Sequence, residues 1–202
     1  MRYLSLLVVV ACLASGAVAE EKNVHPDTRE WSDLFHADLG NAIDTKDVWT
    51  FEDGVLTASA DFGLFSEKEY DNFVLDLEFK FNKKGNSGVF MRVGDFKNHV
   101  KSGFEVQILD THGKKKFGHH DCGGVIRTSA PSKMVVKPAG QWNRYTITLQ
   151  GDHLVVVLNG EKIQDLDLGQ TGLQDRPASG YISFQDEAKE VWYRNVRIRE
   201  LK

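Results

Sequence analysis

The sequence predicts an all-β protein in which two antiparallel sheets pack as a sandwich of the jelly-roll kind. Three observations carry this. Short stretches of alternating apolar and polar residues recur along the chain, turn residues separate them, and no segment sustains a 3.6-residue apolar period for three turns. So many short strands in one domain need two sheets to bury their apolar faces.

Before the sandwich comes an export leader. Arg2 supplies a positive start, Leu4 to Leu13 is nearly all apolar, and Ala17-Val18-Ala19 is a small-x-small cleavage site ahead of Glu20. The apolar run is too short to span a bilayer, and no later segment is apolar enough to do so. A rival reading takes Val9-Val10-Ala11-Cys12 as a lipobox, with Cys12 the acylated first residue of a lipoprotein, at the expense of a very short leader. Cleavage after Ala19 sends the protein to the periplasm or the medium and leaves 183 of the 202 residues, one domain with a sizeable core. Residues 20–28 form a loose polar leader to the fold, and residues 29–202 form the single β-sandwich domain.

Loss of Cys12 leaves Cys122 as the only cysteine, so no internal disulfide forms and stability rests on packing. The formal net charge of −4 becomes −5 when Arg2 leaves. The two signs are interspersed except at Lys114-Lys115-Lys116, which argues against nucleic acid as a partner.

In chain order, Trp49 lies in an apolar stretch with Phe51. Ser66-Glu67-Lys68-Glu69 has the form of a capping box, followed by too little apolar sequence for more than one helical turn. The segment from Phe73 to Phe81 puts Phe73, Leu75, Leu77, Phe79 and Phe81 on one face, the core side, and Val74, Asp76, Glu78 and Lys80 on the other. Lys84-Gly85-Asn86 turns the chain into a strand from Gly88 to Val93, and a second turn region leads to Phe104 to Asp110, so these three strands are expected to run as a meander. Asn86-Ser87-Gly88 reads as turn chemistry. Strands from Trp142 to Gln150 and from His153 to Leu158 follow, the second ending in Asn159-Gly160, a strong hairpin signal. Glu161 to Leu166, Gly180 to Gln185 and Val191 to Leu201 complete the set. Trp31, Trp49, Trp142 and Trp192 read chiefly as core or interface packing.

The most informative strand is Phe104 to Asp110. Phe104, Val106 and Ile108 point one way, Glu105 and Gln107 the other. With suitable register, Glu78, Arg92, Glu105 and Gln107 would form one row across a sheet, with Phe90 beside it. Carboxylates accept from sugar hydroxyls, Arg and Gln donate to sugar oxygens, and an aromatic ring covers an apolar sugar face. A solvated face with cross-strand ion pairs explains the same alternation.

The loop from Thr111 to Gly124 holds His112, His119, His120, Asp121 and Cys122. Its histidines lack the spacing of a structural zinc site. A His of near-neutral pKa beside Asp121 suits general acid or base work; read structurally, the stretch is a polar loop around a buried thiol. Cys122 is a poor nucleophile candidate in an exported protein, and no G-x-S-x-G elbow exists for a serine.

A family resemblance rests on Glu30-Trp31-Ser32-Asp33-Leu34-Phe35, Trp49-Thr50-Phe51-Glu52-Asp53-Gly54-Val55-Leu56, Gly85-Asn86-Ser87-Gly88-Val89-Phe90-Met91-Arg92 after the Phe73 strand, and Glu105-Val106-Gln107-Ile108-Leu109-Asp110. It continues through Lys137-Pro138-Ala139-Gly140-Gln141-Trp142-Asn143-Arg144-Tyr145, Asn159-Gly160 and Tyr193-Arg194-Asn195-Val196-Arg197-Ile198. Together these resemble the 3-keto-disaccharide hydrolase family, earlier known only as a domain of unknown function, over essentially all of the chain after Glu30. The chain departs from the family where Val125-Ile126-Arg127 follows Gly124 without the usual Tyr, and where Ser183-Phe184-Gln185-Asp186 replaces a Gly-Leu-Gln run.

The resemblance implies a concanavalin A-like sandwich, export in sugar-degrading bacteria and action on glycosides already oxidised at C3. A ketone at C3 acidifies the C2 proton, so removal of that proton with elimination at C1 and addition of water needs a base, an acid and donors, here read as Glu105 as base, His120 as acid steadied by Asp121, and Arg92 and Gln107 as holders of the ketone or ring hydroxyls, with Glu78, Asp110 and Gln185 as further contacts. Direct hydrolysis by Glu78 with Glu105 is a variant, its outcome set by their separation. No cofactor is required; a divalent cation would find Asp110, Asp121 and His120 if the loop folds back over the strand. The rival class is a lectin-like carbohydrate-binding module, and a third reading is an interaction domain with no pocket.

Overall fold

The computed structural model describes residues 25–43, 47–187 and 189–202. The expected export leader, its cleavage site and Cys12 lie outside the described residues. Among the described residues thirteen strands run in chain order as β1 Ser32–Asp33, β2 Ala42–Ile43, β3 Trp49–Glu52, β4 Val55–Ala58, β5 Phe62–Tyr70, β6 Phe73–Phe81, β7 Asn86–Val93, β8 Phe104–Leu109, β9 Asn143–Gln150, β10 His153–Leu158, β11 Glu161–Asp167, β12 Gly180–Asp186 and β13 Val191–Glu200. They build two antiparallel sheets. Sheet one has the order β11-β10-β9-β6-β13-β4-β3, with β1 also on β13; sheet two has the order β2-β5-β12-β7-β8.

The core lies between the sheets. Sheet one contributes Phe73, Leu75, Leu77, Phe79 and Phe81 with Tyr145, Ile147 and Tyr193; sheet two contributes Leu64, Val89, Met91, Val106, Ile108 and Phe184, all buried. Phe184 and Tyr193 stack across the interface with ring centroids 4.5 Å apart. The Tyr145 hydroxyl donates to the Gln107 carbonyl at 2.7 Å, a second tie between sheets. Asn159 and Gly160 both have positive φ (52° and 86°), as the expected two-residue hairpin turn demands.

Three sequence expectations are corrected. The meander fails at its first step: β6 is paired on both edges, by β9 and β13, so β7 cannot join it and crosses to sheet two, where only the β7–β8 pairing holds. Ser66 to Glu69 is not a helical turn but part of β5. There Ser66 Oγ accepts from Ile182 N at 3.0 Å, at the point where the β5–β12 register slips, so the residue that resembled a helix cap satisfies a strand irregularity instead. Asn86-Ser87-Gly88 opens β7 rather than forming a turn.

The leader is pinned from His25 onward. Gly160 N donates to His25 Nε2 at 2.9 Å, His25 Nδ1 meets Thr146 Oγ1 at 2.7 Å, and Arg144 donates to the Pro26 carbonyl at 2.8 Å. Beneath this strap Asp76 is buried on the outer side of sheet one, held by Arg144 Nε at 2.9 Å and by Thr146 Oγ1. Trp31 and Trp49 are buried, while Lys80 lies over the half-buried rings of Trp142 and Trp192. No helix among the described residues is long and apolar enough to cross a membrane.

Candidate active site on the outer face of sheet two

Alternation along four neighbouring strands places two rows on the outer face of sheet two. One runs Phe65, Ser183, Phe90, Glu105 and the next Gly63, Gln185, Gly88, Gln107. Gly88 is the reason this face is hollow. A Cβ there would lie 2.7 Å from both Cγ and Cδ of Glu105, so only glycine lets the Glu105 carboxyl lie down across β7.

The carboxyl has no hydrogen bond or ion pair among the described residues. Burial pushes its pKa up from 4.5 to about 8, and the nearby Glu187 carboxylate adds to the rise. Asn86 Nδ2 donates to Glu187 while Asn86 Oδ1 accepts from Gln107 Nε2 at 3.3 Å, so one amide links the two polar residues beside Glu105. Gln107 Oε1 is buried and has no partner.

The free edge of β8 is covered by the loop that the sequence marked as chemically dense. Gln107 exchanges backbone bonds with Gly123 and Gly124, both at 2.9 Å, and Ile126 N donates to the Glu105 carbonyl at 3.0 Å. Asp121 shapes this loop: buried, it accepts from Lys114 Nζ at 2.6 Å and from Gly118 N at 2.7 Å, and its carboxylate steadies the loop rather than the His120 ring. The His120 ring is exposed, tilted against His119 with centroids 4.4 Å apart, and only its carbonyl meets Gln107 Nε2, at 3.5 Å. His119 Nδ1 accepts from Arg127 N at 2.9 Å. A cavity of about 170 Å3 is lined by Glu105 with Phe90, Ile126, Arg127, Leu173 and Arg176, and Arg176 Nε donates to the Gly103 carbonyl at 2.7 Å.

Beyond Phe90 the face turns aromatic. Phe62, Phe65, Phe96 and His99 line an open cleft of about 670 Å3. The His99 ring stands edge-on to Phe90 at 4.8 Å and to Phe65 at 6.0 Å.

The single row of Glu78, Arg92, Glu105 and Gln107 does not form. Glu78 lies on the other sheet, on its outer side, paired with Arg194, so it cannot act with Glu105 as a carboxylate pair. Arg92, with positive φ at 54°, is buried and reaches Asp152 Oδ1 at 3.1 Å and the Gly151 carbonyl, tying β7 to the β9–β10 turn. Asp110 accepts from Lys84 N at 3.0 Å and braces the β6–β7 turn. Glu105, Gln107 and Gln185 do share one face. Asn86, Gly88, Glu187, Arg127, Arg176 and the phenylalanine cleft were not singled out as site residues in the sequence; a glycine inside the β7 pattern was the available signal, since it marks a close approach. Among the described residues no three metal-ligating side chains converge, and Asp110, Asp121 and His120 each face different partners. Cys122 is fully buried with its thiol 3.4 Å from the Tyr145 hydroxyl, and burial pushes its pKa up to about 11.

A family model described as the 3-keto-alpha-glucoside-1,2-lyase-like domain matches residues 25–199. A curated relative, the 3-keto-disaccharide hydrolase of Bacteroides thetaiotaomicron, is 26% identical over 204 aligned positions, covering 76% of this chain and 70% of the relative. A crystal structure from Parabacteroides distasonis, of a protein described provisionally as a glycosyl hydrolase, is 31% identical with a TM-score of 0.79 and covers 85% of this chain and 99% of its own. A carbohydrate-binding module from Bacillus subtilis shares the fold at 13% identity, with a TM-score of 0.57 over 79% of this chain and 96% of its own. With the model matched from the pinned strap to the end of the last strand, the chain belongs to the 3-keto-alpha-glucoside-1,2-lyase-like domain family.

Proposed function

We propose that this chain is an exported enzyme that cleaves glycosides or disaccharides oxidised at C3, with Glu105 moving the C2 proton. The observation that carries the reading is the Glu105 carboxyl, without a bonded partner among the described residues and shifted to about 8, on a residue that lines a cavity. A C3 ketone acidifies the C2 proton. Glu105 takes that proton, the C2–H electrons form the C1–C2 double bond, and the C1–O bond breaks with its electron pair on the leaving oxygen; water then adds to the enone. A carboxylate of raised pKa is a stronger base than an ordinary one, and at pH 7 about a tenth of it is ionised. Negative charge developing on the ketone oxygen calls for donors, which Arg127 and Arg176 bring to the same cavity. Gln107 and Gln185 supply contacts to ring hydroxyls. His120, with no hydrogen bond to its ring, is the acid assigned to the leaving oxygen, and Asp121 acts by holding its loop. Arg92, Glu78 and Asp110 are each engaged elsewhere and take no part in this scheme. The leader read in residues 1–19 supports export.

The test is incubation with a 3-keto glucoside and its unoxidised parent, following enone absorbance and aglycone release. Turnover of the keto sugar alone is expected. Binding of either sugar without turnover would refute catalysis in favour of a lectin-like module.

A further inference from the structure

We propose that the aromatic cleft beside Gly63 is the leaving-group subsite, and that it selects 3-keto glycosides whose aglycone carries an aromatic ring over 3-keto disaccharides. This rests on the reading that Glu105 marks the point of cleavage. The row that carries Gly88 continues through Gln185 to Gly63, so the carboxyl over Gly88 and the cleft over Gly63 are two strands apart, roughly 10 Å at ordinary strand spacing. C1 is bonded to C2, so with C2 in contact with Glu105 the glycosidic oxygen lies directly beyond it over Gln185, and an aglycone attached there reaches the cleft.

The lining decides what enters. Phe65 packs at 4.7 Å against Phe96 and at 6.5 Å against Phe62, and Tyr181 meets the other side of Phe96 at 4.7 Å. Phe62 and Phe96 are half-buried, so their rings meet both the core of this cluster and the cleft. A Cβ on Gly63 would stand 2.9 Å from the Phe65 ring, so the glycine keeps the wall open there. The lining holds few polar groups: His99 Nε2 is buried without a partner, Lys97 is exposed, and the others already hold donors. Asp95 accepts from Lys97 N at 2.9 Å and from Asn98 Nδ2 at 3.0 Å, and the Phe62 carbonyl accepts from Trp49 Nε1 at 3.2 Å. A second sugar would set most of its hydroxyls against the rings of Phe62, Phe65 and Phe96, which is unfavourable, whereas an aromatic ring gains edge or stacked contacts with them. The cleft volume of about 670 Å3 falls in the range of small-molecule sites.

The experiment compares the 3-keto derivatives of benzyl glucoside, methyl glucoside and a glucosyl disaccharide, all of which lose an alkoxide, so leaving-group acidity does not decide the result. The expected kcat/KM for the benzyl substrate is about tenfold or more above the other two. In Phe96→Ala that advantage falls by about tenfold, mainly through KM. Phe62→Leu, which keeps apolar bulk but loses the ring, should reduce the advantage in the same direction should the alanine variant fold poorly. Turnover of all three with no benzyl preference, or an equal fall for all three in both variants, would overturn the subsite and leave the cleavage reading intact. Turnover of none would remove the cleavage reading, and this inference with it.

Discussion

Replacing Glu105 by Gln should make the protein more stable at neutral pH while removing its activity. The carboxyl is held at about 8 against 4.5, chiefly by burial. As pH rises through about 4.5 the unfolded chain gives up this proton and the folded chain keeps it until about 8, so stability present at acid pH is lost across that window. At pH 7 the loss is on the order of 3 kcal/mol, a large share of the stability of a domain this size. Gln is close in shape and neutral at every pH, like the protonated acid. Urea unfolding of both proteins should therefore give nearly equal stabilities at about pH 4.5 and a gap of roughly 2–3 kcal/mol in favour of Glu105→Gln at about pH 7. Turnover of a 3-keto glucoside should fall by about 10²–10⁴-fold, and the wild-type rate should rise with pH toward a plateau above about 8. A stability gap that is the same at both pH values would mean that Glu105 ionises as an exposed carboxyl does, and the argument from its burial would fail.

Other outcomes follow from the same geometry. Gly88→Ala puts a methyl where the Glu105 side chain now lies, so the carboxyl must swing out, the midpoint of the pH–rate profile should drop from about 8 toward 4.5, and stability at about pH 7 should rise as it does for Glu105→Gln, by up to about 3 kcal/mol less the cost of moving the side chain. His25, lowered from 6.5 to about 4 mainly by burial and then by Arg144, accepts a bond from Gly160 N that a protonated Nε2 cannot; stability should fall as pH drops from about 6.5 through 4, and the His25 imidazole should titrate near 4 by NMR. His25→Ala removes both ring contacts and should cost about 1–2 kcal/mol in urea unfolding. The Cys122 thiol, fully buried and pushed up to about 11, should resist alkylation at pH 8 in the native protein and react at once in denaturant; rapid native labelling would contradict its burial.

How far the sequence could be read depended on what each signal reports. Alternation reports faces, and it placed Glu105 and Gln107 outward and Phe104, Val106 and Ile108 inward, as they are. It does not report which strand lies next door. Glu78 and Arg92 were grouped with Glu105 on the assumption that consecutive strands pair, but β6 was already flanked by β9 and β13, strands that come much later in the chain. Likewise the spacing of Ser66 and Glu69 fits a helix start equally well as a strand whose serine bridges a register slip to β12; only the partner strand distinguishes them. Short strands such as β1 and β2 exist because a neighbour offers an edge, Ile198 and Arg197 for β1, Phe65 and Ser66 for β2, and nothing local marks them.

The surroundings of Glu105 bear on whether this face catalyses, as proposed, or only binds. An outward Glu on an antiparallel strand ordinarily reaches water and ionises freely, and a lectin needs no more than that. Glu105 does not behave so because of residues outside its own strand: Gly88 leaves the hollow it lies in, Phe90 and Ile126 line its cavity, and Glu187, held by Asn86, adds charge of the same sign. Each of these raises the free energy of the ionised form, and no bond among the described residues offsets it. A fold selected for stability alone would place a partner there or remove the acid, because a buried partnerless carboxyl costs stability. A carboxyl of raised pKa on a residue lining a cavity suits the proposed proton transfer, and a hydroxyl-binding carboxylate would be served better by the ordinary pKa that this site denies it.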